Sequence, residues 1–259
     1  MTAGGEASSA TAFAITGASK AFGGFDALRE VTLTIRTGER VAILGPSGAG
    51  KSTLLRLMTT AAMPTGGSVE VLGASPQRLR SGELRALRSR IGMVHQQLLL
   101  VPQSSVFQNV LAGRLGRLSL PRALLALLSP RVAGEVSRVL DQVGLVSKIY
   151  ERVDRLSGGE QQRVAIARVL YQEPEVLIAD EPLASVDPVR SLDLVRLLAQ
   201  FASDRTLIVA THQLEPLLPY VSRVVGLREG RLLFDRHKDA LTAEDLDRLY
   251  AGTGEVRAA

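Results

Sequence analysis

Residues 40–58 restrict the possible fold more than any other stretch of the chain. Arg40-Val41-Ala42-Ile43-Leu44 is a short β-branched and aliphatic run of the kind that forms a buried parallel strand. Gly45-Pro46-Ser47-Gly48-Ala49-Gly50-Lys51-Ser52-Thr53 follows at once and fits the pattern G-x-x-x-x-G-K-[ST]. Beyond it, Leu54, Leu55, Leu57 and Met58 fall at spacings that put an apolar stripe on a helix. Glycines let such a loop curl with its N–H groups pointing inward, and the helix adds its positive N-terminal end. Strand, loop and helix together describe a phosphate-binding P-loop, in which Lys51 reaches the β- and γ-phosphates and the Ser52 hydroxyl ligates Mg²⁺. A glycine- and serine-rich turn with a chance lysine would need neither flanking element.

With 259 residues the chain is long enough to bury a sizeable core, and 46% hydrophobic with 22% charged residues is ordinary for a globular protein. It has no cysteine, which excludes a disulfide framework and any thiolate metal site or nucleophile. Residues 1–11 carry no basic segment and no long apolar run, so they do not read as a signal peptide. Nor does any stretch approach the ~18 uninterrupted apolar residues of a membrane span. The richest, residues 123–128, is bounded by Pro121 and Pro130. A soluble chain is expected. The net charge of +5 comes mostly from arginines that alternate with acids and few aromatics, which describes a solvated basic surface and not a nucleic-acid interface.

Residues 1–12, rich in Ala, Gly, Ser and Thr, are expected to fray. Alternation in Val31-Thr32-Leu33-Thr34-Ile35 and again in Ser68-Val69-Glu70-Val71 predicts a small antiparallel layer. A helix is expected over 82–90 and a strand over 91–95, ending at Gln96-Gln97. Leucine-rich helical stretches then run over 106–115, 121–128 and 132–143, with Gly144 as a C-cap. Strands resume at 176–180 and 206–210, each entered from a helix, which argues for a parallel sheet covered on both faces. A hairpin turning at Glu229-Gly230 and a helix capped by Thr242 and Asp245 close the chain. The expected organisation is one α/β domain over 13–259, its core formed by 13–96 and 157–259 and its helical subdomain by 97–156.

Asp180 ends a hydrophobic strand and Glu181 follows it. At the carboxyl end of a central parallel strand both carboxylates meet the crevice where open α/β sheets bind ligands. Asp180 suits a Mg²⁺ shell, and Glu181 suits a base that takes a proton from an attacking water. In Leu156-Ser157-Gly158-Gly159-Glu160-Gln161-Gln162-Arg163, Ser157 opens a helix and Glu160 completes a capping box. Two glycines leave the first backbone amides uncovered, making a second anion-binding helix end. One triphosphate does not need two such ends, so this one is expected to close on a nucleotide held by another copy of the chain.

These strings, in this order, resemble the ATP-binding cassette (ABC) ATPases over residues 13–234. The resemblance implies an α/β P-loop NTPase cassette: a mostly parallel RecA-like core sheet, a small antiparallel β subdomain and an inserted helical subdomain. It implies that Phe22 stacks on adenine and that residues 45–53 (Gly45, Pro46, Ser47, Gly48, Ala49, Gly50, Lys51, Ser52, Thr53) bind ATP. Gln96, with Gln97 the alternative one residue on, matches the Q-loop glutamine that contacts Mg²⁺ and the attacking water. Ser52, Gln96 and Asp180 would surround Mg²⁺. Glu181 would be the catalytic base and His212 the switch histidine near the γ-phosphate. Ser157, Gly158, Gly159 and Glu160 form the signature acting in trans, and Ser185 and Asp187 match the D-loop. His95 stands where the family usually has an aromatic residue.

The family pattern implies a homodimer sandwiching ATP, two separate membrane permease subunits, a periplasmic or lipid-anchored binding protein, no nucleic acid, and a peripheral place on the cytoplasmic face of the inner membrane. Within the family, Val101-Pro102, residues 109–116 and the proline-bounded stretch 121–130 are most similar to the ATPases of phosphonate importers. Leu98-Leu99 and Gln103 depart from that pattern. Importers of polar amino acids, methionine or another phosphorus oxyanion are the competing assignments, and a soluble ABC ATPase is a further one.

Overall fold

The computed structural model describes residues 10–182, 188–202 and 204–252. In chain order the first half contains β1 (Thr11–Phe22), β2 (Phe25–Arg36), β3 (Arg40–Leu44), α1 (Lys51–Met58), β4 (Gly66–Val71), α2 (Ser81–Arg88) and β5 (Ile91–Val94). Helices α3 (Val106–Leu111), α4 (Leu120–Ala126), α5 (Pro130–Gln142) and α6 (Gly158–Gln172) follow. The chain then returns to alternation with β6 (Val176–Asp180), α7 (Pro188–Phe201), β7 (Thr206–Thr211), β8 (Arg223–Arg228), β9 (Arg231–His237) and α8 (Ala243–Tyr250).

Two sheets result. β2, β1 and β4 form an antiparallel three-stranded sheet. The six-stranded sheet runs β5-β6-β7-β3-β8-β9, and every pairing in it is parallel except β8 with β9. The sequence of the central strands explains this placement. Val-Leu-Ile-Ala-Asp in β6 and Thr-Leu-Ile-Val-Ala-Thr in β7 are buried at every position, which suits strands covered on both faces.

Alternation along those strands separates two cores. Val41, Ile43, Val176, Ile178, Ile208 and Ala210 face one way, packing with α1 and the antiparallel sheet. Ala42, Leu177, Ala179, Leu207 and Val209 face the other, packing with α3, α5, α6 and α7. A third, smaller cluster joins Leu44, Val224 and Phe234 to Leu249 of α8. Burying each large aliphatic side chain contributes roughly 1.5–3 kcal/mol.

Some expectations shift. Strand β1 begins at Thr11, and Ala12 is fully buried with its carbonyl accepting from Leu72 N at 2.8 Å. The stretch expected to fray therefore stops short of residue 12; residues 1–9 lie outside the described residues. The helix expected over 106–115 ends at Leu111 and continues as a 3₁₀ segment, Ala112–Arg117. A Cβ on Gly113 would stand 2.1 Å from the carbonyl oxygen of Arg168, so this segment lies directly on the backbone of α6. Gly144 takes φ +68°, with Leu145 N bonding back to Leu140 O at 2.8 Å, a Schellman-type end to α5.

Two glycine replacements should act in opposite directions. Gly113→Ala has no room against a backbone atom and should destabilise the fold by about 1–3 kcal/mol. A Cβ on Gly134, inside α5, would meet nothing within 4 Å, and Gly134→Ala should stabilise by about 0.5–1 kcal/mol. Urea unfolding of the two variants against the parent chain measures both.

Candidate active site

Parallel pairing is what assembles the site. Leu44 pairs with Thr211, Ala210 with Asp180, and Ala179 with Val94, so β3, β7, β6 and β5 end on one edge of the sheet. The residues that follow these ends are the P-loop, His212, Glu181 and His95-Gln96.

The loop itself is held by close backbone contacts. A Cβ on Gly45 would lie 2.2 Å from Leu227 O, and one on Gly50 would lie 2.6 Å from Ala27 O. Gly50 also has φ +102° and is the N-cap of α1, a conformation that glycine adopts without a Cβ penalty. Gly230 N donates to Ala49 O at 3.0 Å, tying the loop to the β8–β9 turn.

Lys51 is buried, and its Nζ donates to Gly45 O at 2.6 Å and Pro46 O at 3.2 Å. The same ammonium lies 3.3 Å from Glu181 Oε1. The other oxygen of Glu181 accepts from His212 Nδ1 at 2.7 Å. Glu181 has φ +48°, a left-handed conformation rare outside glycine, and its N–H is bonded to Ala210 O at 2.9 Å. Cation, carboxylate and imidazole thus form a continuous chain from the start of α1 to the end of β7.

Asp180 is buried, and its Oδ1 has no hydrogen-bond partner among the described residues. Burial pushes its carboxyl above the usual range; the Ser52 hydroxyl hydrogen-bonded to it acts in the opposite sense, and the Glu181 charge reinforces the rise. An orphaned buried carboxylate oxygen beside a P-loop hydroxyl is the donor set that a hard divalent cation uses. Nearby, burial is the main cause that lowers the His95 imidazole pKa, with the Arg168 charge second.

A cavity of about 420 Å³ opens above these groups, lined by residues 47–53, Gln96, Glu181 and His212, together with Phe25 and Ala27. Gln96 is among its walls and Gln97 is not. Phe22, expected at the base-binding end, is also not among them. It faces Phe25 across the β1–β2 turn, with Lys20 Nζ 5.0 Å from its ring centroid. The aromatic ring that lines the cavity is Phe25, which the sequence reading passed over; its signal was the symmetric Phe22-Gly23-Gly24-Phe25 turn.

Residues 157–160 do not line this cavity either. Ser157 is the exposed N-cap of α6, with Glu160 N donating to its hydroxyl at 3.4 Å and its own N–H donating to Glu160 Oε2 at 2.9 Å. Lys148, 2.8 Å from Glu160, is the main cause holding that carboxyl down at about 2, with the Ser157 bonds adding to it. Ser185 and Asp187 lie outside the described residues.

Residues 28–184 match the family described as ABC transporter. Among curated proteins, the phosphonates import ATP-binding protein PhnC of Anaeromyxobacter dehalogenans is 62% identical over 239 residues, covering 92% of this chain and 48% of that protein. The chain therefore spans about half the length of that relative. PhnC of Pseudomonas fluorescens is 46% identical, with 88% of this chain and 87% of that protein covered. Of solved structures, cbiO1 from Clostridium perfringens, part of the ABC transporter complex cbiONQ, superposes with TM-score 0.77 at 29% identity, covering 93% of this chain and 94% of that one. The dimeric cassette MJ0796 bound to ADP and Pi gives 0.73 at 29% identity, with 88% and 100% covered. The chain belongs to the ABC transporter family, with the fold of its ATP-binding cassettes.

Proposed function

We propose that the chain is the ATP-hydrolysing subunit of a phosphonate importer, working as a homodimer on two permease subunits fed by a periplasmic or lipid-anchored binding protein. The observation that carries the ATPase is the Lys51–Glu181–His212 chain at the edge of the P-loop cavity. The cargo assignment rests on the 62% identity to a phosphonates import ATP-binding protein over 92% of this chain.

The chemistry follows from the residues present. The amides of residues 47–53 and the Lys51 ammonium bind the β- and γ-phosphates, and the phosphates compete with Glu181 for that ammonium. Glu181, released from Lys51 and still held by His212, accepts the proton of the attacking water. Ser52, Asp180 and Gln96 would hold Mg²⁺, whose charge offsets that of the phosphates. Ser157, Gly158, Gly159 and Glu160 of a second copy would close the site from the other side, since they stand outside this chain's own cavity. Ser185 and Asp187 would serve as the D-loop residues. For the base, Phe25 is the better platform than Phe22.

Among the described residues no helix is long and apolar enough to cross a membrane. Apart from Phe22 and Phe25, the exposed large hydrophobic side chains among them all fall between Leu99 and Tyr150. These side chains of the helical subdomain support seating a permease segment there, and the chain would then work from the cytoplasmic side of the membrane.

Glu181→Gln should lower ATP turnover by about 10²–10⁴-fold while keeping ATP affinity and trapping a dimer with Ser157 against the terminal phosphate. Single-turnover hydrolysis, nucleotide titration and light scattering read the three effects. Phe25→Ala should weaken ATP binding more than Phe22→Ala, by roughly 1–3 kcal/mol of base stacking, in a direct titration. Deleting the gene should abolish growth on a phosphonate as sole phosphorus source and leave growth on phosphate intact.

A further inference from the structure

Gln96 enters the cavity from a segment with little of its own to hold it. Leu99 is 59% exposed and carries φ +49°, an unfavourable backbone conformation for a leucine. Val101 is 55% exposed. What fixes the segment is hydrogen bonding to its main chain. Asn109, buried in α3, accepts from Val101 N at 2.8 Å and donates to Val101 O at 3.1 Å. Closer to Gln96, Arg168 Nη2 donates to Leu98 O at 2.8 Å and Arg168 Nη1 to Leu99 O at 2.7 Å.

Arg168 is unusual among the arginines of this fold. It is partly buried, burial lowers its pKa, and among the described residues no carboxylate lies within ion-pair distance of it. A guanidinium partly withdrawn from water without a counter-charge is retained against some desolvation cost, and here its planar fork spans two successive carbonyls. Its backbone is fixed as well, because Gly113 packs directly on its carbonyl. Arg168 stands on α6, the helix capped by Ser157. Six residues earlier on that helix, the buried Gln162 donates to Pro182 O, in the segment that follows Glu181. The helix that begins at the signature therefore grips the segments carrying both Gln96 and Glu181.

We propose that Arg168 is the positioning residue for Gln96, fixing the turn after it through the Leu98 and Leu99 carbonyls and tying it to the helix that starts at Ser157. This rests on the reading of Gln96 as a residue of the hydrolytic site. Movement of α6 toward a nucleotide then moves Gln96 with it, so that engagement of the signature and placement of the glutamine are one event.

A double-mutant cycle on the full chain tests this, reading kcat and ATP Kd for Arg168→Met, Gln96→Ala and the double variant. Arg168→Met is expected to lower kcat about tenfold, a loss of ~1.4 kcal/mol of transition-state stabilisation, with Kd within twofold of the parent. In the Gln96→Ala background the same change should lower kcat less than twofold. An equal factor in both backgrounds, or no loss from Arg168→Met alone, overturns the proposal and leaves the reading of Gln96 intact. Unchanged kcat in Gln96→Ala overturns both. Should Arg168→Met fail to fold, Arg168→Lys, which keeps the charge and loses the fork, is put through the same cycle and judged by the same criterion.

Discussion

The in-step parallel hydrogen bonding of β5, β6, β7 and β3 is the constraint on which the rest depends. Because neighbouring strands end within one residue of each other in the ladder, loops from four distant parts of the sequence emerge side by side. A slip of one residue in β6 would turn Asp180 to the opposite face and exchange the two cores, since Ile178 and Ala179 pack on different sides. The alternation of buried side chains that stabilises the sheet is therefore also what aims Asp180 and Glu181.

The two cores divide the labour. The one containing α1 and the antiparallel sheet supports the P-loop from below, through Leu54, Leu55, Leu57 and Met58. The other joins the sheet to the helical subdomain through α6, which touches β5 on one side and α3 and α5 on the other. Lys51, Glu181 and His212 rise from the boundary between these bodies. A rearrangement of the helices need not disturb the cradle, whereas it reaches Gln96 and the segment after Glu181 at once.

Much of this was legible in the residues alone. The P-loop, Asp180-Glu181 and the capped start of α6 are short contiguous patterns whose chemistry demands those residue types, and strand runs buried on both faces declare a parallel sheet. The hairpin at Glu229-Gly230 and the Thr242–Asp245 cap were readable for the same reason. What could not be read depends on partners far along the chain. Arg168 finds its carbonyls 69 and 70 residues away, so nothing near it in sequence marks it out. Which of Phe22 and Phe25 borders the cavity is decided by how the β1–β2 turn packs beside the P-loop, a tertiary matter. The early end of α3 coincides with Gly113, a poor helix former whose place against α6 is the part that only the tertiary structure shows.

The contacts around residues 45–50 carry a thermodynamic meaning of their own. With Gly45 backed by Leu227, Gly50 by Ala27 and Ala49 bonded to Gly230, the anion cradle is already shaped by two separate parts of the chain, β2 and the β8–β9 hairpin. Little main-chain entropy is left to lose when a polyphosphate arrives, so less of the free energy of capture goes into ordering the loop.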